Sequence, residues 1–250
     1  MRTFLFVLLL CSTVFGGTIR HDVSEKSVLD FGAKFYCTKK VVTVKQQDDS
    51  KLIGIGSCVI LNEHWMITCG HLAEVPMDMM KVLIGDKEYC IDKFYVNKDF
   101  SSKNLCGDIA LGYSEKGFGV VEDKPMIYDK KVNIGDNIAF AGYGRYGTMN
   151  TGAKTYEYKL RAGTNKISRR FKKDLLVITG SNDRTKTSLE YLPNVGDSGG
   201  GMFVDGKLAG ITSCVLTSDG KADSDYGDEG CFTEIYPYLE WINNHVKKKR

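Results

Sequence analysis

The sequence predicts an all-β chain on three observations. Short apolar or alternating runs recur along it, clusters of Gly, Asp, Asn and Lys separate them, and helical periodicity is nearly absent before the end. In the first half the runs are Val41–Val44, Leu52–Leu61, Met66–Thr68, Val82–Ile84, Tyr89–Val96 and Ile109–Gly112. In the second they are Ile138–Gly142, Tyr156–Arg161, Leu175–Thr179, Gly201–Val204, Leu208–Val215 and Cys231–Ile235. Runs punctuated in this way form antiparallel sandwiches or barrels. Glu122 to Asp129, with Pro125, is the best candidate connector between two β units. Tyr238, Leu239, Trp241, Ile242 and Val246 can share one face of a closing helix. A length of 250 residues suits one large β domain or two small ones sharing a cleft, and length alone leaves both open.

An apolar content of 42% with 26% charged residues excludes a disordered or fibrous chain. The formal charge of +3 leans on the terminal Lys247, Lys248, Lys249 and Arg250, so the body is close to neutral and gives no basis for nucleic-acid binding. Arg2, the apolar run Phe4 to Leu10 and the small residues around Val14, Gly16 and Gly17 have the three regions of a secretory signal peptide over residues 1–17, with cleavage expected after Gly16 or Gly17. The apolar stretch ends after roughly a dozen residues, short of the ~20 that a spanning helix needs. The mature chain is therefore expected to be secreted, extracellular and free of the membrane.

Of eight cysteines, Cys11 lies in the leader, leaving Cys37, Cys58, Cys69, Cys90, Cys106, Cys214 and Cys231. Export brings them into an oxidising compartment, where disulfides are the default and an odd count leaves a thiol over. No CxxC or paired-His spacing supports structural zinc. The acidic stretch Asp219 to Asp228 lacks a calcium-ligand pattern. Neither metal nor organic cofactor is expected, and there is no sequon for N-glycosylation.

Gly196-Asp197-Ser198-Gly199-Gly200-Gly201 precedes the run Met202–Val204. Glycines around a serine allow positive φ and a tight turn, so that the hydroxyl projects while successive N–H groups converge. On its own the segment reads equally as a Gly-rich turn. A serine hydroxyl needs a base, itself oriented by a third group, to act as a nucleophile. Among His21, His64, His71 and His245, His71 stands out because the apolar run Trp65-Met66-Ile67-Thr68 delivers it through Cys69-Gly70. Asp108 opens Asp108-Ile109-Ala110-Leu111, a carboxylate at the start of an apolar strand. Alone, His71 reads as a strand-end histidine and Asp108 as a capping residue.

Together these residues stand in the order His, Asp, Ser, and the chain resembles the chymotrypsin/trypsin family of serine proteases. Gly56 to His71 is similar to its histidine segment, Asp108 to Leu111 to its aspartate motif, and Gly196 to Gly200 matches its serine motif. Ile138 to Gly144 resembles the first strand of its second barrel, Leu208 to Ser213 its substrate-binding strand, and Tyr238 to Ile242 its C-terminal helix. The likeness runs from about Val41 to Val246. It implies two antiparallel β-barrels around a central cleft with a C-terminal helix. Their expected bounds are about 35–121 and 131–250, joined by a connector over about 122–130. It also implies a catalytic triad of Ser198 as nucleophile, His71 as base and Asp108 as orienting carboxylate. The amides of Gly196 and Ser198 would form the oxyanion hole, and Asp197 would pair with an ammonium freed by activating cleavage.

The sequence departs from the family at three places. The usual basic residue followed by Ile-Val-Gly-Gly is absent; cleavage at Arg20 or at the leader site would supply an ammonium, but neither end has the family's apolar tip. The cysteine usual beside the catalytic His is Leu72 here; Cys58 and Cys69 fall on adjacent strands of one hairpin and Cys214 and Cys231 on the strands lining the specificity pocket, which suggests these two pairings, with Cys90–Cys106 a weaker third and Cys37 spare. Leu192 falls at the expected base of the specificity pocket, followed by Pro193 and Asn194, with Ser213, Cys214, Val215 and Gly230 as walls. No carboxylate stands there for Lys or Arg, so small or apolar side chains are the expected preference. The reading that results is a monomeric secreted serine endopeptidase working on protein or peptide substrates through an acyl-enzyme, open to a protein inhibitor. Its alternative is a catalytically silent binding or decoy protein on the same fold.

Overall fold

The computed structural model describes residues 17–45, 48–76, 80–101, 103, 106–119, 124–155, 157–181 and 186–247, without side chains at 44–45 and 48–53. The expected leader, except Gly17, therefore lies outside the described residues, as do Cys11, Tyr156 and the tail from Lys248 to Arg250.

The alternation that marks the strands also decides which way they face. In β3 (Asp48–Ile60) and β4 (Trp65–Thr68), Cys58, Ile60 and Met66 enter a core with Val41, Met80, Val82 and Phe118, while Val59, Trp65 and Ile67 turn to the opposite face. That second face packs on Phe203, Leu208, Ile211 and Ile242 of the other half, so the sheet is buried on both sides. It has seven antiparallel strands in the order β6-β5-β2-β3-β4-β8-β7, the remainder being β2 (Thr38–Lys45), β5 (Met80–Ile84), β6 (Lys87–Cys90), β7 (Lys93–Val96) and β8 (Ala110–Tyr113).

A second curled sheet follows the order β12-β9-β16-β17-β18-β14-β13. Its strands are β9 (Asn137–Gly142), β12 (Arg161–Lys166), β13 (Arg169–Phe171), β14 (Leu175–Thr179), β16 (Gly201–Val204), β17 (Lys207–Leu216) and β18 (Glu229–Glu234). Phe140, Leu176, Ile178, Met202 and Phe232 fill it. The class is thus mostly β, with two curled antiparallel half-barrels and a C-terminal helix, α2 (Leu239–Val246). Ile242 of α2 packs into the seam between the halves.

A third, four-stranded sheet runs β11-β10-β1-β15 through β1 (Gly17–Ile19), β10 (Tyr146–Thr148), β11 (Gly152–Thr155) and β15 (Tyr191–Leu192). β1 lies parallel to β10 and antiparallel to β15. It is followed by α1 (Glu25–Gly32), which the sequence periodicity does not announce. Ser24 caps α1 by accepting from the Ser27 N–H, and Val28 sinks into the second half's core. The start of the described chain therefore belongs spatially to the second half.

Two expected strands change. The Tyr89–Val96 run breaks between β6 and β7. Residues 157–160 are irregular, and β12 begins at the buried Arg161, whose guanidinium holds the half-exposed Glu25.

Candidate active site

The short strand β4 ends at Thr68 in the seam, and the chain turns through Cys69 and Gly70 into a single 3-10 turn that starts at His71. Asp108 stands just before β8, the partner of β4, so hydrogen bonding between the two strands brings it beside His71. Its Oδ1 accepts from the His71 backbone N–H at 2.9 Å, and its Oδ2 lies 2.9 Å from His71 Nδ1. From the second half, the Ser213 hydroxyl donates to the same Oδ2 at 2.5 Å. Burial works against the charge on Asp108, but His71 and Ser213 outweigh it and hold its pKa below the ordinary value. Burial likewise opposes protonation of His71, yet the Cys69 sulfur and the Asp108 carboxylate prevail and hold the imidazole well above its usual pKa.

The other ring nitrogen, Nε2, lies 3.5 Å from the Cys69 sulfur. Ser198, half-buried at the other rim of the seam, is not hydrogen-bonded to His71 among the described residues. Cys69, His71 and Asp108 offer ligand atoms within 4.8 Å of one another. A soft cation placed there would take the Nε2 lone pair that a general base needs, so metal binding and proton transfer would exclude each other. A second group, Asp223, Asp225 and Asp228, satisfies its buried carboxyl internally: Asp228 accepts from the Ser224 N–H, and burial raises its pKa to about 7.

The serine loop makes a tight turn. Gly196 and Gly199 have φ of +94° and +84°, and a Cβ on Gly199 would fall 2.1 Å from the Ser57 carbonyl oxygen. The N–H groups of Asp197, Gly199 and Gly200 donate to Asn194, Thr212 and Asp197 carbonyls. Those of Gly196 and Ser198 have no acceptor among the described residues, leaving them free for a ligand at the serine.

Asp197, 1% exposed, is walled by glycines: a Cβ on Gly17, Gly142 or Gly144 would fall 2.9, 2.3 or 2.5 Å from its carboxylate oxygens. Two backbone N–H groups reach it, Gly144 at 2.8 Å and Asn194 at 3.1 Å. Burial outweighs them and raises its pKa to about 7. The Tyr191 hydroxyl oxygen, 2.3 Å from the same Gly17 Cβ position, is buried without a hydrogen-bond partner.

Other expected residues fall differently. Leu192 is 1% exposed, lies on β15 beside β1 and packs in the second half's core. Pro193 stands against β18: its Cδ would lie 2.4 Å from a Cβ on Gly230. Gly230 pairs with Val215, and Ser213 is buried against Asp108. None of the seven described cysteines forms a disulfide with another described residue. Cys58 and Cys69 occupy different cores on opposite faces of the first sheet, which rules out their pairing here. Cys90 lies opposite Lys81 and Cys106 opposite Ser101, so these two do not face each other. Cys214 and Cys231 do stand opposite each other on β17 and β18. Leu72, in the place where the family usually carries a cysteine, packs against Gly56, where a Cβ would lie 2.5 Å from Leu72 Cδ1.

The family described as Trypsin matches residues 40–242. The chain belongs to the trypsin family. No curated protein matches it in sequence. Among solved structures it is similar to neuropsin, a serine protease expressed in the limbic system of mouse brain, with 17% identity and a TM-score of 0.64 over 83% of this chain and 93% of that one. At that identity the likeness concerns the fold alone, and the family match supports a trypsin-like peptidase as the coarse assignment.

Three residues of this trypsin-family site carry little signal in the sequence. Ser57 lies inside the histidine segment but has no signature of its own. Cys69 presents itself only as a disulfide candidate. Gly17 presents itself only as a leader residue, although its lack of a side chain next to a buried carboxylate is the feature that matters.

Proposed function

We propose that the chain is a secreted serine endopeptidase in which Ser198 attacks the scissile carbonyl, His71 takes and returns the proton, and Asp108 orients the imidazole. The observation that carries this reading is the Asp108 carboxylate: it holds His71 by two atoms from the first half while bound by Ser213 of the second. The free N–H groups of Gly196 and Ser198 fit an oxyanion hole. Pro193 against Gly230, with Val215 beside it, leaves little depth for a side chain and favours small ones. No described helix is long and apolar enough to cross a membrane.

The ammonium that the family requires would come from leader removal. Hydrolysis of the Gly16–Gly17 bond would leave an α-ammonium on a residue already packed against Asp197 and the partnerless Tyr191 hydroxyl. Cleavage at Arg20 fits less well, since Arg20 is 4% exposed and its guanidinium is held by Asp22 and the Thr187 carbonyl. The position of His71 Nε2 toward Cys69 favours the second reading, a silent binding protein. A fluorophosphonate probe separates the two: labelling of the secreted chain that Ser198→Ala abolishes supports catalysis, and absence of labelling in both supports the silent protein.

A further inference from the structure

We propose that Ser57 is a positioning residue that locks the serine loop in the shape that leaves the Ser198 N–H free, a role resting on the reading of Ser198 as nucleophile. Ser57 belongs to β3 in the first half, is fully buried, and uses every polar group it has. Its hydroxyl donates to the Gly196 carbonyl at 2.9 Å, and the same oxygen accepts from the Tyr143 N–H at 3.0 Å. Its backbone N–H donates to the Ser198 carbonyl at 2.8 Å, and its own carbonyl accepts from the Thr68 hydroxyl at 2.9 Å. One residue thus holds the carbonyls on both sides of the Asp197-Ser198 peptide.

A trans peptide is planar, so fixing its carbonyl fixes the N–H on the opposite side. The Gly196 carbonyl points at Ser57, which sends the Asp197 N–H to Asn194; the Ser198 carbonyl points at Ser57, which sends the Gly199 N–H to Thr212. The peptide between them, anchored by the Gly200 N–H on the Asp197 carbonyl, is left with the Ser198 N–H turned outward. The Tyr143 bond ties the same hydroxyl to the segment whose Gly144 N–H holds Asp197. The loop is therefore clamped across the seam, from the first half to the second, on both sides of the peptide that carries the free Ser198 N–H. Without the hydroxyl, the Gly196 carbonyl and the Tyr143 N–H would be buried and unpaired, a state relieved by rotating the peptide.

Ser57→Ala removes the hydroxyl and leaves the backbone bond to Ser198. The expected result is a kcat about tenfold lower with KM nearly unchanged, since the donors act on charge that develops only in the transition state. Ser57→Thr, which keeps the hydroxyl, restores kcat. Val132→Ala, a core truncation remote from the seam, serves as a control for lost stability and leaves kcat in place. Hydrogen exchange supplies a readout that needs no turnover: amides of residues 196–200 exchange faster in Ser57→Ala and not in Val132→Ala. A wild-type chain that turns over alongside an equally fast Ser57→Ala with unchanged exchange overturns the clamp and spares the catalytic reading. A wild-type chain that neither turns over nor labels overturns the catalytic reading, and the exchange comparison then decides the clamp alone.

Discussion

Asp108 and Asp197 are almost equally buried and titrate in opposite directions. Asp108, 3% exposed, faces an imidazole and a hydroxyl, and its pKa is lowered. Asp197, 1% exposed, receives two backbone N–H groups among the described residues, and its pKa is raised to about 7. Neutral donors do not offset the cost of burying a charge, whereas an ionisable base across 2.9 Å does. The first carboxylate has an ionisable partner in the folded chain; in the proposed function the second pairs with an ammonium that Gly17 would bring.

The sharpest test of the first carboxylate is Asp108→Asn, which keeps the shape but lets the imidazole take the wrong tautomer. It should lower kcat on the order of 10³- to 10⁴-fold, measured on a peptide amide; a loss under about tenfold would mean that His71 does not depend on Asp108. The second carboxylate is tested by blocking Gly17 with one extra residue, which should cost about 100-fold in kcat/KM at pH 8, as expected for an unpaired buried charge. In that blocked form, Asp197 has a folded pKa of about 7 against ~3.9 unfolded. Its protonated state therefore favours the fold fully below about pH 4, and the contribution is lost as pH rises through 7. Thermal melts of the blocked form should fall across that interval more than those of the chain starting at Gly17, and parallel curves would contradict the pairing.

A smaller effect concerns His71. Its raised pKa places the acid limb of kcat/KM above pH 6.5, because only the neutral imidazole accepts the serine proton; a limb below that value would mean that Asp108 and Cys69 do not hold the ring as described. Smallest of all, Ser213→Ala removes one neutral donor from Asp108 and should lower kcat about fivefold, near the ~1 kcal/mol of such a bond.

The same contrast separates what the sequence discloses from what it hides. His71, Asp108 and Ser198 each lie in a local pattern, a strand running into a turn or a glycine cluster, so their segments are legible from neighbouring residues alone. The half-barrels are legible for the same reason, since alternation at Cys58 to Ile60 and Trp65 to Ile67 is a property of a few consecutive residues. What stays hidden depends on distant pairing. The surroundings of Leu192 follow from the pairing of β1 with β15, and α1 forms where a Ser24 cap and one buried face, around Val28, find the second half's core. Cys58 and Cys69 look adjacent in the hairpin, but the Val59 to Ile67 register sets them one residue out of step and on opposite faces. Ser57 and Gly17 stay hidden because their importance lies in what they touch across the seam.

Intact-mass spectrometry of the secreted chain after fluorophosphonate treatment tests the central claim most directly. The account predicts a single adduct, on Ser198, carried by a chain that begins at Gly17. An unlabelled chain would contradict the catalytic assignment, and equal labelling of a chain beginning elsewhere would contradict the role given to Gly17.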